Sequence, residues 1–214
     1  MDLSRIETPT RIRVPILELR DKLWKFHAIG DGSCLLHAIL LGFATGYRTQ
    51  QVQGRPLNRV EYVRGMRQKL ADFLYEKDEQ GVRVYDRLAN GNLASLGAQG
   101  DEATKYTIEH MYAHIVSTSD LEFQMLELIS WFVRRNILIL SGNTRDVYKT
   151  GLVVDTYRPE WFSVVLWHTS SGGDGGGHFD LVGISHENMI VTHFTHEHPF
   201  IQAILKRSRE MEIR

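Results

Sequence analysis

Apolar positions change their spacing along this chain, and the changes divide it. From Asn58 onward, Val60, Val63, Met66, Leu70, Phe73 and Leu74 recur at helical intervals and predict a helix to about Lys77. Ile108, Met111 and Ile115 predict a second helix with one apolar face. Ser119 followed by Glu122 is a capping box, and the helix it predicts would bury Leu121, Met125, Leu128, Ile129 and Phe132. There the period switches. Ile137 to Leu140 is a short apolar run ending in the turn Ser141-Gly142-Asn143, the pattern of a buried strand. Further strands are predicted at Leu152–Val154, Phe162–Trp167, Phe179–Ile184 and Met189–Phe194, with a last helix from about Pro199.

Nearer the start, Pro9 and Pro15 keep the chain extended or turned, and Ile16, Leu19, Leu23 and Trp24 suggest a short amphipathic helix. Gly30 to Ser33 reads as a tight turn, followed by a helix from Cys34 to about Phe43 that Gly46 closes. Tyr47 to Leu57 reads as a loop, and Asn90 to Gly100 as turn-rich chain. Helices in the first two thirds and strands in the last third give the fold class α+β. The corresponding division is an N-terminal extension over 1–25, one main domain over 26–196 and a C-terminal helix over 197–214.

Composition narrows the classes. With 214 residues, 43% apolar and 24% charged, the chain is an ordinary globular domain able to bury a core. A formal net charge of −1 lacks the basic excess of a nucleic-acid binder. The single cysteine excludes an intramolecular disulfide and a cysteine-rich zinc site. Met1 to Arg20 has no apolar core of signal-peptide length, and the greasiest run, Leu35 to Ala44, is about half a membrane span. These features predict a soluble cytoplasmic protein in a reducing compartment, and a monomer is expected.

Two places carry chemistry. The first is Gly30-Asp31-Gly32-Ser33-Cys34. A lone cysteine is most often an inert buried residue. This one follows two glycines and stands where a helix begins, so the helix dipole and unpaired N–H groups favour thiolate over thiol. The N–H groups of Cys34 and of the Asp31, Gly32, Ser33 turn would suit an oxyanion hole. The second place is Gly175-Gly176-Gly177-His178-Phe179-Asp180. His178 and Asp180, two apart on a strand, point to one face, so one imidazole nitrogen can meet a thiol while the other meets a carboxylate. Taken alone, this is also the pattern of a strand-end histidine beside a solvated aspartate.

Together the two places resemble the ovarian-tumour (OTU) family of deubiquitinating cysteine proteases. The resemblance rests on Asp31-Gly32-Ser33-Cys34-Leu35, His37-Ala38 and His178-Phe179-Asp180. The helix holding Glu127 and Trp131, followed by the Ile137–Leu140 strand, also falls where that family places a helix and a core strand. It spans Phe26 to Phe194, with Ser33 in place of the family's usual Asn or Asp and Leu36 where an aromatic is frequent. It implies a papain-like OTU fold and hydrolysis of the isopeptide bond after ubiquitin's Gly-Gly tail, with no metal or cofactor. The implied catalytic residues are Cys34, His178 and Asp180. Gly176, Gly177, Phe179 and Trp167 would line the passage for the tail. The implied partners are ubiquitin or polyubiquitin conjugates, with neither nucleic acid nor membrane, and the implied location is the cytoplasm, or host cytosol for a viral or bacterial source. Two alternatives share these residues: a catalytically weak ubiquitin-binding module on the same fold, and a small-molecule cysteine amidase or acyltransferase.

Other residues change little. His110 and His114 have metal-ligand spacing, but no Glu follows His110 as a zinc-protease motif requires, and both read as solvated. His193, His196 and His198 read as surface residues, Trp161 and Trp167 as core or rim aromatics, and His37 as a packing or polar-anchor residue on the cysteine's helix. Gly172 to Gly177 lacks the Gly-Lys-Ser/Thr of a phosphate loop.

Overall fold

A computed structural model describes residues 8–17, 19, 22–93, 105–121, 123–148, 157–170, 177–186 and 189–212. In chain order the elements are β1 (Thr10–Ile12), β2 (Leu23–Phe26), α1 (Cys34–Phe43) and α2 (Thr45–Thr49). A small hairpin, β3 (Gln51–Val52) and β4 (Arg55–Pro56), precedes α3 (Arg59–Phe73), α4 (Val84–Arg87), α5 (Ile108–Val116) and α6 (Leu126–Val133). The chain then runs through β5 (Asn136–Ser141), β6 (Asp146–Val147), β7 (Ser163–Thr169), β8 (His178–His186) and β9 (Met189–Val191) to α7 (Pro199–Glu212). The fold is α+β.

Two compact units result. The first comprises Met1–Gly30, Cys34–Leu57 and Arg134–Arg214. Its sheet has the order β1-β2-β8-β7-β5-β6, with β9 also paired to β8. Among the described residues, only β5 and β7 pair in parallel. Every residue of β5 is buried, which requires cover on both faces. On one face α1 lies against Val164 and Leu181. On the other, Phe200, Ile201, Ile204 and Leu205 of α7 pack with Leu138, Leu140, Val165, Trp167, Val182 and Ile184. Each such large apolar side chain contributes about 1.5–3 kcal/mol when fully buried.

The N-terminal segment departs from its predicted helix. Pro15–Leu17 makes a single 3-10 turn, and Leu23–Phe26 is a strand paired in register with β8, Leu23 opposite Ile184 and Phe26 opposite Leu181. Pairing and burial of Leu23 and Phe26 override a local helical spacing that only four apolar residues supported. The sheet therefore takes strands from both ends of the chain. Gly46 does not end the cysteine's helix but sits inside α2, and the predicted loop from Tyr47 to Leu57 contains the end of α2 and the β3–β4 hairpin.

The second unit comprises Asp31–Ser33 and Asn58–Val133. Asn58 caps α3 by accepting from the N–H groups of Val60 and Glu61 at 3.0 and 3.3 Å. Val63, Leu70 and Ala71 are buried, whereas Val60 is exposed, and the helix stops at Phe73 rather than Lys77. Thr107 caps α5, and Ile108, Met111 and Ile115 are buried as their spacing predicts. No α-helix starts at Ser119. A 3-10 turn at Phe123–Met125 leads into α6, although Leu121, Met125, Leu128 and Ile129 are buried as expected and Phe132 is half-buried. Glu122 of the capping box and the predicted strand Leu152–Val154 lie outside the described residues. Among the described residues, no helix is long and apolar enough to cross a membrane.

Candidate active site

Cys34 is the first residue of α1 and is buried. His178 opens β8 and Asp180 follows on the same face of the strand, so both side chains are placed by ordinary strand alternation. His178 Nε2 lies 3.0 Å from Asp180 Oδ1. That leaves Nδ1 as the nitrogen free to meet a thiol, and the Nδ1 edge of the ring is turned toward the backbone at Gly30. Hydrogen bonds to Asp180 and then to Cys34 raise the imidazole from its ordinary 6.5 to about 10, against burial, which lowers it.

Asp180 is almost fully enclosed. Burial pushes its carboxyl up, but the His178 ring, the Ala28 N–H at 3.0 Å and the Lys25 ammonium at 3.0 Å together hold it down at about 2. His27 adds a second imidazole, with Nδ1 at 3.4 Å from Asp180 Oδ1. Lys25, His27 and Ala28 escaped sequence reasoning because they belong to β2 and its exit, where four strand residues are too few to display a period of two. The available signal was the basic pair Lys25 and His27, two apart, close before the cysteine turn.

His168, on β7, also went unnoticed. It is buried and packs at a tilt on Phe179, with ring centroids 4.8 Å apart, and burial followed by the charge of His178 lowers its pKa. A Cβ added at Gly177 would lie 1.8 Å from His168 Nε2, so only glycine fits directly before His178. Gly176, the other loop glycine expected to flank a substrate tail, lies outside the described residues. Phe179 is buried beneath this histidine, and Trp167 is buried in the sheet's α7-facing core, opposite Asp180 in the β7–β8 register.

Within the second unit, the Asp31–Ser33 turn is held by Arg67. This buried guanidinium donates to Gly32 O at 3.0 Å and Ser33 Oγ at 2.9 Å, and to the carbonyls of Ile115, His114 and Ser119 at 2.6, 3.2 and 2.8 Å. Gly32 has φ of +82°, and a Cβ there would stand 2.1 Å from Thr118 O, so both conformation and space demand glycine. The Ser33 N–H is engaged by Asp31 Oδ1 at 3.0 Å.

Other histidines are more enclosed than their sequence context suggested. His193 stacks on Phe162 at 4.4 Å and accepts from Arg135 Nε at 3.0 Å, and burial with the Arg135 and Arg48 charges lowers it to about 4. His196 meets the Tyr157 hydroxyl at 3.0 Å, and His198 packs on Phe194. His37 is fully buried and hydrogen-bonded to the Tyr47 hydroxyl, a polar anchor between α1 and α2. His114 Nε2 lies 2.9 Å from Asp120 O, while His110 is exposed.

A solved structure described as "Structure of Ovarian Tumor (OTU) domain in complex with Ubiquitin" matches 90% of this chain and 86% of its own, with TM-score 0.50 and 14% identity. The fold is OTU-like. No protein-family model matches the chain, and no curated protein does. At this identity the likeness shows the fold alone.

Proposed function

We propose that this OTU-like chain is a cysteine isopeptidase that removes ubiquitin or a ubiquitin-like modifier from conjugates. The observation that carries the reading is the His178 ring, fixed through Nε2 by an enclosed, anionic Asp180, with its Nδ1 edge turned toward Gly30, four residues before Cys34, and its pKa raised by hydrogen bonds to Asp180 and Cys34. A nucleophile, a base and an orienting carboxylate in that order form an acyl-transfer site. His178 takes the proton of Cys34, and Sγ attacks the carbonyl of the modifier's last glycine. The resulting oxyanion is assigned to the Cys34 N–H at the first turn of α1, where the helix dipole favours negative charge. His178 then protonates the departing lysine amine, leaving a thioester. Water, deprotonated by the same imidazole, hydrolyses that thioester and restores the thiol. Asp180 stabilises the imidazolium throughout. The solved OTU domain bound to ubiquitin supports ubiquitin as the modifier.

The test is incubation with ubiquitin carrying an electrophile at its C-terminus. The expected result is a covalent adduct on Cys34 that is absent from Cys34→Ala. Ubiquitin binding without an adduct would make the chain a binding module. Neither binding nor adduct would direct attention to a small-molecule amidase or acyltransferase, and would overturn the proposal.

A further inference from the structure

The Asp180 carboxylate is approached by two imidazoles. His178 Nε2 stands 3.0 Å and His27 Nδ1 3.4 Å from the same oxygen, Oδ1. One nitrogen from each ring and a carboxylate oxygen lie within 4.8 Å of one another. Two imidazole nitrogens and one carboxylate oxygen are the donor set of a zinc site that keeps a fourth position open. A tetrahedral ion with bonds of about 2.0–2.1 Å spaces its ligand atoms by about 3.3–3.4 Å. The His27–Asp180 separation already has that value, the His178–Asp180 separation falls slightly below it, and the two imidazole nitrogens lie within 4.8 Å of each other, so side-chain movement within the cluster admits an ion.

We infer that His27, His178 and Asp180 form a site for a zinc-class divalent ion, which on binding blocks the chemistry of Cys34. The ion bonds to His27 Nδ1, His178 Nε2 and Asp180 Oδ1, with water in the fourth position, and the proton on His178 Nε2 is released to solvent. The imidazole then no longer hydrogen-bonds Asp180 and carries its one proton on Nδ1, so that nitrogen has no lone pair with which to take the proton of Cys34. Lys25 keeps the other carboxylate oxygen, at 3.0 Å, so Asp180 binds through one oxygen only. The ammonium charge also opposes the ion and holds affinity well below that of a structural zinc site. His27 is 43% exposed and provides the way in. The block rests on Cys34 and His178 acting as a pair, as the isopeptidase reading requires; ion binding itself does not depend on that reading.

Zinc can also be captured by a reactive thiol and its histidine, so the test removes the thiol. Full-length Cys34→Ala is titrated with zinc chloride against a fluorescent chelator. About one equivalent should bind, and adding His27→Gln to that background should weaken binding at least tenfold. In a second measurement, iodoacetamide alkylation of Cys34 is compared with and without zinc, each variant against itself. Zinc should slow the wild-type rate, EDTA should restore it, and His27→Gln should lose at least tenfold in zinc sensitivity. Loss of zinc binding in Cys34→Ala, or full retention in Cys34→Ala/His27→Gln, would overturn the proposal. The chelator titration reads the same whether or not ubiquitin forms an adduct, so failure of the metal site and failure of the isopeptidase reading remain separate.

Discussion

At the scale of single residues, Asp180 is the group on which the rest of the site depends. It is nearly sealed from solvent, yet stays ionised because a histidine, a lysine and a backbone N–H all address it. Asp180→Asn keeps the shape but removes the charge that favours one tautomer and stabilises the imidazolium. In a comparable serine triad this change costs about 10⁴ in turnover. A thiol needs less help than a hydroxyl, so a fall of roughly 10 to 10³ is expected here, with substrate affinity nearly unchanged. Full activity of Asp180→Asn across neutral pH would show that another group orients His178. The same pair predicts a pH dependence of stability. His178 is raised in the folded state, from 6.5 to about 10, so its contribution is complete below pH 6.5 and is lost as pH climbs through about 10. Asp180 is depressed from 3.8 to about 2, so its contribution is present above pH 3.8 and is lost as pH falls through about 2. The stability gap between wild type and His178→Gln should therefore be widest between these limits and narrow steadily from pH 6.5 to 10. Urea midpoints measured across that range check it, and a gap that grew with pH would contradict the proposed coupling.

At the scale of elements, α1 and the turn before it show what a sequence can and cannot reveal. The start of α1 at Cys34 was legible because glycines and a serine precede a mostly apolar run. The strand placing His178 and Asp180 was legible from the apolar run Phe179–Ile184 after a glycine-rich loop. The support behind them was not. Arg67 lies 34 residues after Ser33 and appears in the sequence as one more polar position on an amphipathic helix. Only the folded second unit reveals that its guanidinium gathers the carbonyls of Gly32, His114, Ile115 and Ser119 with the Ser33 hydroxyl. A planar fork with five donors can serve such a set, and a single ammonium cannot. Arg67→Lys should therefore destabilise the protein by about 3 kcal/mol or more, since each buried acceptor left unpaired costs about 1–3 kcal/mol. Chemical denaturation measures this. A loss below about 1 kcal/mol would mean that water satisfies those carbonyls and that the turn does not need the arginine.

At the scale of the whole molecule, segregated helices and strands gave the right class but the wrong membership of the sheet. Long periodic segments announce themselves. Strands of three or four residues do not, because β2 exists by pairing with β8, a distant partner whose contribution no local window contains, and β1 by pairing in turn with β2. The same non-local character makes the α7-facing layer the best place to test the first unit as a cooperative body. Ile204 has no exposed surface and sits among Trp167, Val182, Ile184 and Phe200, on the face of the sheet opposite α1. Ile204→Ala removes three carbons from a layer whose neighbours are held by strand pairing and cannot collapse freely, so about 2–5 kcal/mol should be lost. Trp167 lies in the same layer, and its fluorescence would report the transition directly. The urea midpoint should fall while the slope of the transition stays constant, as expected when a mutation lowers stability without changing what unfolds. At low denaturant, the rate of Cys34 alkylation should match wild type, because Val182 and Ile184 lie beyond Asp180 along β8 and the cavity opens away from the strand end that carries His178. A faster alkylation rate with an unchanged midpoint would mean instead that the helix face loosens around Cys34 without global unfolding, and that this layer guards the nucleophile more than it stabilises the fold.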